Sequence, residues 1–495
     1  MKKDDLLKKI IISFGIFLML LQFLSYLVNY LGIKNYNYLL WGIIHTRDPV
    51  NNWTPTLGLL IYSIATLLIA LLISIKKIRS SIIIFLKDAI ERIKIKRKIW
   101  FFAVISLSFI PLSFIFKFSN NTVNSRDHWG IIIVQKALED PSRLFYMSAP
   151  ISTYLLFIFH QLTSYLFSWD AIKSTEIFFL LNAPLYIFIL LLLADSLVKS
   201  RLQKVMLFLL LISTGFMQFL FGWYDATTFG FVWMLLFLYL SYLYIKGRTK
   251  FIYPVLAFWL SFWTNASVFW FIPGLLFLYF FNINISKLSA GNFLRGIFSK
   301  KFLKFLVLLL IPTILLFLFI EFNLQKIHNV HIYQIEKVKA GSLLGGGDGT
   351  IFLPLFKTTT IWQSFTMFSF GHLIDFLNFN VLLAPFGLIL LISLMLIYRK
   401  QINFKNPFLY FMFILLAFHL LFMATFNTDE VEVAAWDVYA PVHILTLITS
   451  SFILLNYTKK GLWEEIAIIT LIISLSLTIP WILSNSHFIY LIAVK

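Results

Sequence analysis

The sequence has no cysteine. That removes disulfide staples, thiol nucleophiles and thiolate metal sites from consideration. Charge is scarce as well: Asp, Glu, Lys and Arg make up 13% of the 495 residues, where a soluble domain carries roughly 25%. Acids are the scarcer sign, 22 against 41 Lys and Arg, for a net charge of +19. Such an excess is a nucleic-acid signal only when it gathers on one face, and here it is scattered through short loops between apolar runs. No stretch is polar enough, for long enough, to fold as a large soluble module. What is abundant is apolar surface, 60% of residues, arranged in runs of the length a helix needs to cross a bilayer core of about 30 Å.

The resulting expectation is an all-α polytopic membrane protein of about 13 transmembrane helices, at 10–32, 55–75, 99–117, 177–197, 205–221, 227–246, 252–264, 267–283, 304–321, 379–398, 406–425, 437–457 and 462–484. The first run, Ile10 to about Leu31, is too long for a signal-peptide core and lacks a small-residue cleavage site, so it reads as a retained span. Segment 151–168 decides the topology. It is apolar but contains His160, Gln161 and several hydroxyls. Counted as a span, it inverts every later loop. Laid in the interface as an amphipathic helix, it keeps the basic loops on one side.

With that choice the inner segments hold 29 of the 41 Lys and Arg and 7 of the 22 acids, a balance of +22 inside and −3 outside. The positive-inside rule then places the N-terminus in the cytoplasm and the C-terminus outside the cytoplasmic membrane. The expected organisation is an N-terminal hairpin and basic linker over 1–98, a membrane domain over 99–484 with outer loops 118–176, 322–378 and 426–437, and a tail over 485–495.

Polar chemistry collects on the outer side. Asp127 lies between Arg126 and His128 in the first outer loop. A carboxylate near the membrane surface is suited to accept a proton from a hydroxyl; the other reading is a solvated acid paired with Arg126. In GHLIDFLN, the residues His372, Asp375 and Asn378 fall at i, i+3 and i+6, as in a metal pair, a polar cluster or a helix cap. Asp437 in AAWDVYAP and Asp225 in GWYDATT each begin a span, where an acid also complements the helix dipole. The run GSLLGGGDGT has neither a following Lys-Ser nor a preceding strand, so it is not a phosphate loop of the usual kind. His328 and His331 form a further spaced pair.

Taken in order, SRDHWGIIIVQKALE, LFYMSAPISTYLLFIFHQLTSYLF, FMQFLFGWYDATTFGFVWMLLFLYLSYLY, GHLIDFLNFNVLLAPFGLILL and AAWDVYAPVHILTLI give the chain its one family likeness. It resembles the prokaryotic membrane proteins related to the GT-C glycosyltransferases, which include protein O-mannosyltransferases and lipid A aminoarabinose transferases. The likeness covers roughly 99–457, and the N-terminal hairpin is an addition to it. It implies transfer of a sugar from a polyprenyl-phosphate donor to a glycan, lipid or protein acceptor on the outer face. The family's outer-loop acid maps onto Asp127. Arg126, Arg143 and Lys357 become candidates for the donor phosphate, and His128, Asp225, His372, Asp375, Asn378 and Asp437 for the cavity and acceptor. A divalent metal is compatible with this set but not required by it. Two departures stand: the loop has Asp127–His128 where the family often has two acids, and no soluble C-terminal domain is recognisable. The alternatives are a lipid or small-molecule transporter or flippase, and a polysaccharide polymerase.

Overall fold

A computed structural model describes residues 3–31, 56–93, 97–116, 149–222, 227–281, 303–312, 314, 315, 318, 352–359, 365–427 and 436–485. The described residues are helical apart from short connections and one isolated bridge, Phe352 to Phe426. The helices in chain order are α1 (Lys3–Tyr30), α2 (Thr56–Ser74), α3 (Lys76–Arg92), α4 (Lys98–Ser108), α5 (Ile110–Phe116), α6 (Pro150–Phe167), α7 (Ala171–Leu180), α8 (Asn182–Leu197), α9 (Arg201–Ile212) and α10 (Phe216–Gly222). Then come α11 (Thr228–Ile245), α12 (Ile252–Thr264), a 3-10 turn Ala266–Phe271, α13 (Ile272–Phe281), α14 (Leu303–Pro312), α15 (Phe370–Leu383), α16 (Gly387–Tyr398), α17 (Pro407–Thr425), α18 (Trp436–Tyr457) and α19 (Lys460–Asn485).

Six described helices are long and apolar enough to cross a membrane, and eight if each of two bent pairs counts as one crossing. The described residues support six to eight crossings and do not confirm the expected count of about 13. Several of the expected runs fold as short or broken helices. The run 205–221 divides into α9 and α10, whereas the expected short pair 252–264 and 267–283 is present with its break at Asn265. The run 379–398 is the largest departure. It belongs to α15 and α16, which meet at 96°. The cause is local: Pro385 has no N–H to donate and forces the residue before it out of the helical region, and Ala384 sits at φ −148° and ψ 79°. The α15 helix thus lies across the ends of the spans rather than along them.

Helix ends that the charge pattern places on one side do meet in space. Lys8 and Arg79 pair with Glu465 at 3.1 and 3.0 Å, and Lys87 pairs with Glu464 at 3.0 Å. Asp195 pairs with Lys98 and, at 2.7 Å, with Lys204. Tyr398 donates to Asp4 at 2.6 Å, and Asn406 to the Tyr457 hydroxyl at 3.0 Å. This basic end joins α1, the α2–α3 elbow, α4, α8, α9, α16, α17, α18 and α19. At the opposite end Asn182 donates to Thr228 Oγ1 at 3.4 Å, Asn265 to Thr227 O at 3.3 Å, and Tyr439 to Phe426 O at 3.0 Å.

Segment 151–168 folds as α6, which is not apolar enough to count among the spans. It packs antiparallel on α7: Thr163 Oγ1 and His160 Nδ1 lie 2.8 and 3.0 Å from Ser174 Oγ, and Phe159 stacks near Phe178 at 5.5 Å. The start of α6 sits at the far end, where Ser152 donates to Thr264 O at 3.4 Å. Because α7 continues into α8 as one apolar helix, the hairpin leaves and returns at the same end and adds no net crossing. In α6, Leu156 is buried, while Ile158, Leu162 and Tyr165 are exposed. Its burial does not sort by polarity as that of the expected amphipathic helix would, since Ser152, Thr153 and Thr163 are buried as well.

The pair α12 and α13 spans the same depth as α11. Phe251 packs tilted against Tyr279 and Phe305 stacks on it at the basic end, at 6.1 and 4.6 Å. The break at Asn265 lies at the other end. There Asn265 Oδ1 accepts from Ser267 N at 3.0 Å and so starts the 3-10 turn. Aromatic packing fills the interior between them, with Phe237 contacting Phe258, Phe271 and Phe411 at ring separations of 6.0, 5.6 and 5.8 Å. In lipid, such van der Waals contact and close backbone approach replace the hydrophobic drive between helices.

Candidate functional site

The candidate site is built on α15. Ser369 caps it, its hydroxyl accepting from His372 N at 3.2 Å. His372 and Asp375 then follow one turn apart on the face that α15 turns to the bundle, and both are buried. Phe379, Leu382 and Leu383 continue that face inward. Asn378 stands at its edge, half-buried.

The last turn of α17 faces this helix. His372 Nε2 lies 3.1 Å from Ala424 O. A carbonyl only accepts, so Nε2 carries the proton and Nδ1 is the basic nitrogen of the neutral ring. Asn380 Nδ2 donates to Phe376 O at 2.8 Å and approaches Met423 sulfur at 3.6 Å. Tyr439, on the first turns of α18, packs its ring on Phe379 and Phe422 at 5.7 and 5.6 Å. The strap 352–354 closes the arrangement from above: Leu353 N donates to Thr425 O at 2.7 Å and Met367 N to Pro354 O at 2.8 Å. Phe365 lies beside His372, with 6.1 Å between the rings.

Of the residues singled out in the sequence, the fold brings His372 and Asp375 together and puts Asn378 beside them. Of the three readings, the helix cap does not fit, since Ser369 is the cap and His372 and Asp375 lie within the helix. Asp437 falls in the first turn of α18, two residues before Tyr439, and so at the same end of the bundle. Lys357 is exposed on the strap, three residues beyond Pro354. Arg126, Asp127, His128, Arg143 and Asp225 lie outside the described residues, as do His328, His331 and the glycine-rich run. No group of three His, Cys, Asp or Glu side chains gathers among the described residues to hold a metal; His372 and Asp375 supply two candidate ligands.

Two interior histidines escaped the sequence reading. His419, on α17, is fully buried; its Nδ1 donates to Leu415 O at 2.9 Å and its ring meets Phe271 at 4.5 Å. His443, on α18, is buried against Phe216, with 4.3 Å between rings. Each sits about one turn deeper than the Ala424–Tyr439 layer. His419 Nε2 has no hydrogen-bond partner among the described residues. The signal was present, an isolated imidazole inside an apolar run, and such residues in a span are commonly functional.

The site's floor is set by one glycine. A β-carbon on Gly215, at the break between α9 and α10, would lie 2.6 Å from Leu382 O at the end of α15. Gly215→Val is therefore expected to push α15 outward and to cost about 1–3 kcal/mol as overpacking, measured as a lowered midpoint of detergent unfolding. A midpoint equal to wild type would show that α15 does not rest on this contact.

Comparison with protein-family models, with curated proteins and with solved structures returns no match.

Proposed function

We propose that this membrane protein is a glycosyltransferase that moves a sugar from a polyprenyl-phosphate donor to a hydroxyl acceptor at the end of the bundle opposite the basic loops. The observation that carries the reading is the buried His372–Asp375 pair, one turn apart on a helix lying across the span ends. Polar side chains of this kind, sheltered at the rim of an apolar bundle, can orient a sugar hydroxyl while the isoprenoid tail stays in lipid. The positive-inside rule makes this end the outer one.

In the proposed reaction the acceptor hydroxyl gives its proton to Asp127 as its oxygen attacks the anomeric carbon. The bond from that carbon to the phosphate oxygen breaks, the configuration inverts, and the polyprenyl phosphate leaves with the electron pair. Arg126, Arg143 and Lys357 offset the phosphate charge. Asp225, His128, His372, Asp375, Asn378 and Asp437 bind hydroxyls along the path.

A second reading, a transporter or flippase, is favoured by the broken helices at Asn265 and Ala384–Phe386 and by His419 and His443 in the interior. Transporters build their sites from interrupted helices and interior polar groups. One experiment separates the two: purified protein in liposomes with radiolabelled polyprenyl-phosphate sugars and a hydroxyl acceptor. Label appearing on the acceptor supports transfer. No transfer from any donor, together with protein-dependent movement of the donor across the bilayer, replaces this reading with transport.

A further inference from the structure

The α3 helix, KKIRSSIIIFLKDAIER, is the most amphipathic segment away from the candidate site. Ile78, Ile82, Ile83, Leu86 and Ile90 fall on one side, and Lys77, Ser81, Asp88 and Arg92 on the other. It leaves α2 at 89° with only Ile75 between them. The helix therefore starts where a span ends and runs across the basic end of the bundle.

Its inner edge is pinned. Arg79 is buried, donates Nη1 to Ile73 O and Ser74 O at 2.7 and 2.6 Å, and reaches Glu465 through Nη2. Those carbonyls are the ones the end of α2 leaves without intrahelical donors. Lys87 adds the pair with Glu464. Ile83 is buried, and Ile82 and Leu86 pack against the core; Phe85, 71% exposed, and Ile84 are the apolar side chains of α3 that protein leaves uncovered. At the two ends of the same helix, Lys76, Lys77 and Arg92 are exposed and make no ion pair with the described residues. Arg201 Nη1 lies 3.4 Å from Ile93 O and brings a further cation to the end of the helix.

We infer that α3 is a membrane-surface helix whose partner is the anionic phospholipid of the leaflet at the basic end, with Phe85 set into the acyl boundary and Lys76, Lys77 and Arg92 against the headgroup phosphates. The depth is fixed covalently, because α3 is joined without a linker to a span. A bulky apolar residue flanked by basic side chains is the composition that binds an anionic interface. Lipid occupies this level in any bilayer the spans cross, so no further macromolecule has to be recruited.

The absence of cysteine makes the test clean. Phe85→Cys and, on the polar side, Glu91→Cys are each spin-labelled in the full chain in nanodiscs of phosphatidylglycerol and phosphatidylcholine. The label at 85 is expected to be quenched by oxygen and shielded from a water-soluble nickel chelate, and the label at 91 the reverse. In Lys76→Gln/Lys77→Gln/Arg92→Gln, co-purified phosphatidylglycerol is expected to fall relative to phosphatidylcholine by about fivefold for each basic side chain removed, the usual strength of a cation at an anionic leaflet. Equal chelate access at 85 and 91 would overturn the inference, as would an unchanged lipid ratio in the triple variant. Dipolar broadening between labels at 85 would also overturn it, by identifying a second copy of the chain as the occupant.

Discussion

Replacing Glu465 with alanine is expected to destabilise the protein by about 3–5 kcal/mol, the usual consequence of leaving a buried charge without its partner. Glu465 is 9% exposed and holds two cations. They are not equivalent. Lys8 keeps 23% of its side chain exposed and can turn to water, whereas Arg79 keeps 5% and cannot. The loss therefore comes mainly from Arg79. Lys8→Met should be much milder than Glu465→Ala, and Arg79→Met/Glu465→Leu should recover most of the stability, since a packed apolar pair commonly matches a buried ionic one. Chemical unfolding in detergent, at low and at high salt, measures all three variants against wild type. A loss under about 1 kcal/mol for Glu465→Ala, or one that vanishes in high salt, would mean that the pair is solvated.

The second large effect belongs to chemistry. Under the proposed reaction, Asp127→Asn removes the proton acceptor but keeps the shape, and transfer should fall by about 10²–10⁴-fold, the range for loss of a general base. The fall should appear in turnover rather than in donor affinity, because the carboxylate acts on the acceptor proton as the bond to phosphate breaks. Unfolding midpoints should match wild type. Full activity in Asp127→Asn removes the residue from the catalytic role. A rise in the donor concentration needed for half-maximal rate, with turnover intact, assigns it to binding instead.

Much of the architecture was legible in the sequence because the bilayer narrows the options. Apolar runs gave the helices, and the Lys and Arg bias sorted their ends, which the ion pairs of Asp195, Glu464 and Glu465 then join. The treatment of 151–168 depended on keeping the later Lys and Arg loops on one side, and the hairpin of α6 with α7 agrees with leaving it out of the crossing count. The 96° bend at Ala384–Phe386 was written in Pro385, but hydropathy smoothed over it and shifted the span start to 379. Arg79 was counted only as one more basic loop residue. Its partner is 386 residues away, and no local pattern shows that it serves as a cap.

For the candidate site, the spacing of His372 and Asp375 was readable and their burial was not. Burial follows from the docking of α15 on Gly215 and on the last turn of α17, contacts between segments far apart in the chain. His419 and His443 were passed over because attention went to carboxylates, although an imidazole within an apolar run carries the same message.

The clamp at Glu465 also bears on the order in which the molecule is made. Lys8 and Arg79, of the N-terminal hairpin and its linker, leave the ribosome well before their carboxylate, which lies 457 and 386 residues further on. Through most of synthesis the hairpin must wait in the membrane with its cations satisfied by water and headgroups. It is locked into the bundle only when α19 inserts, so a helix made much later closes one made earlier.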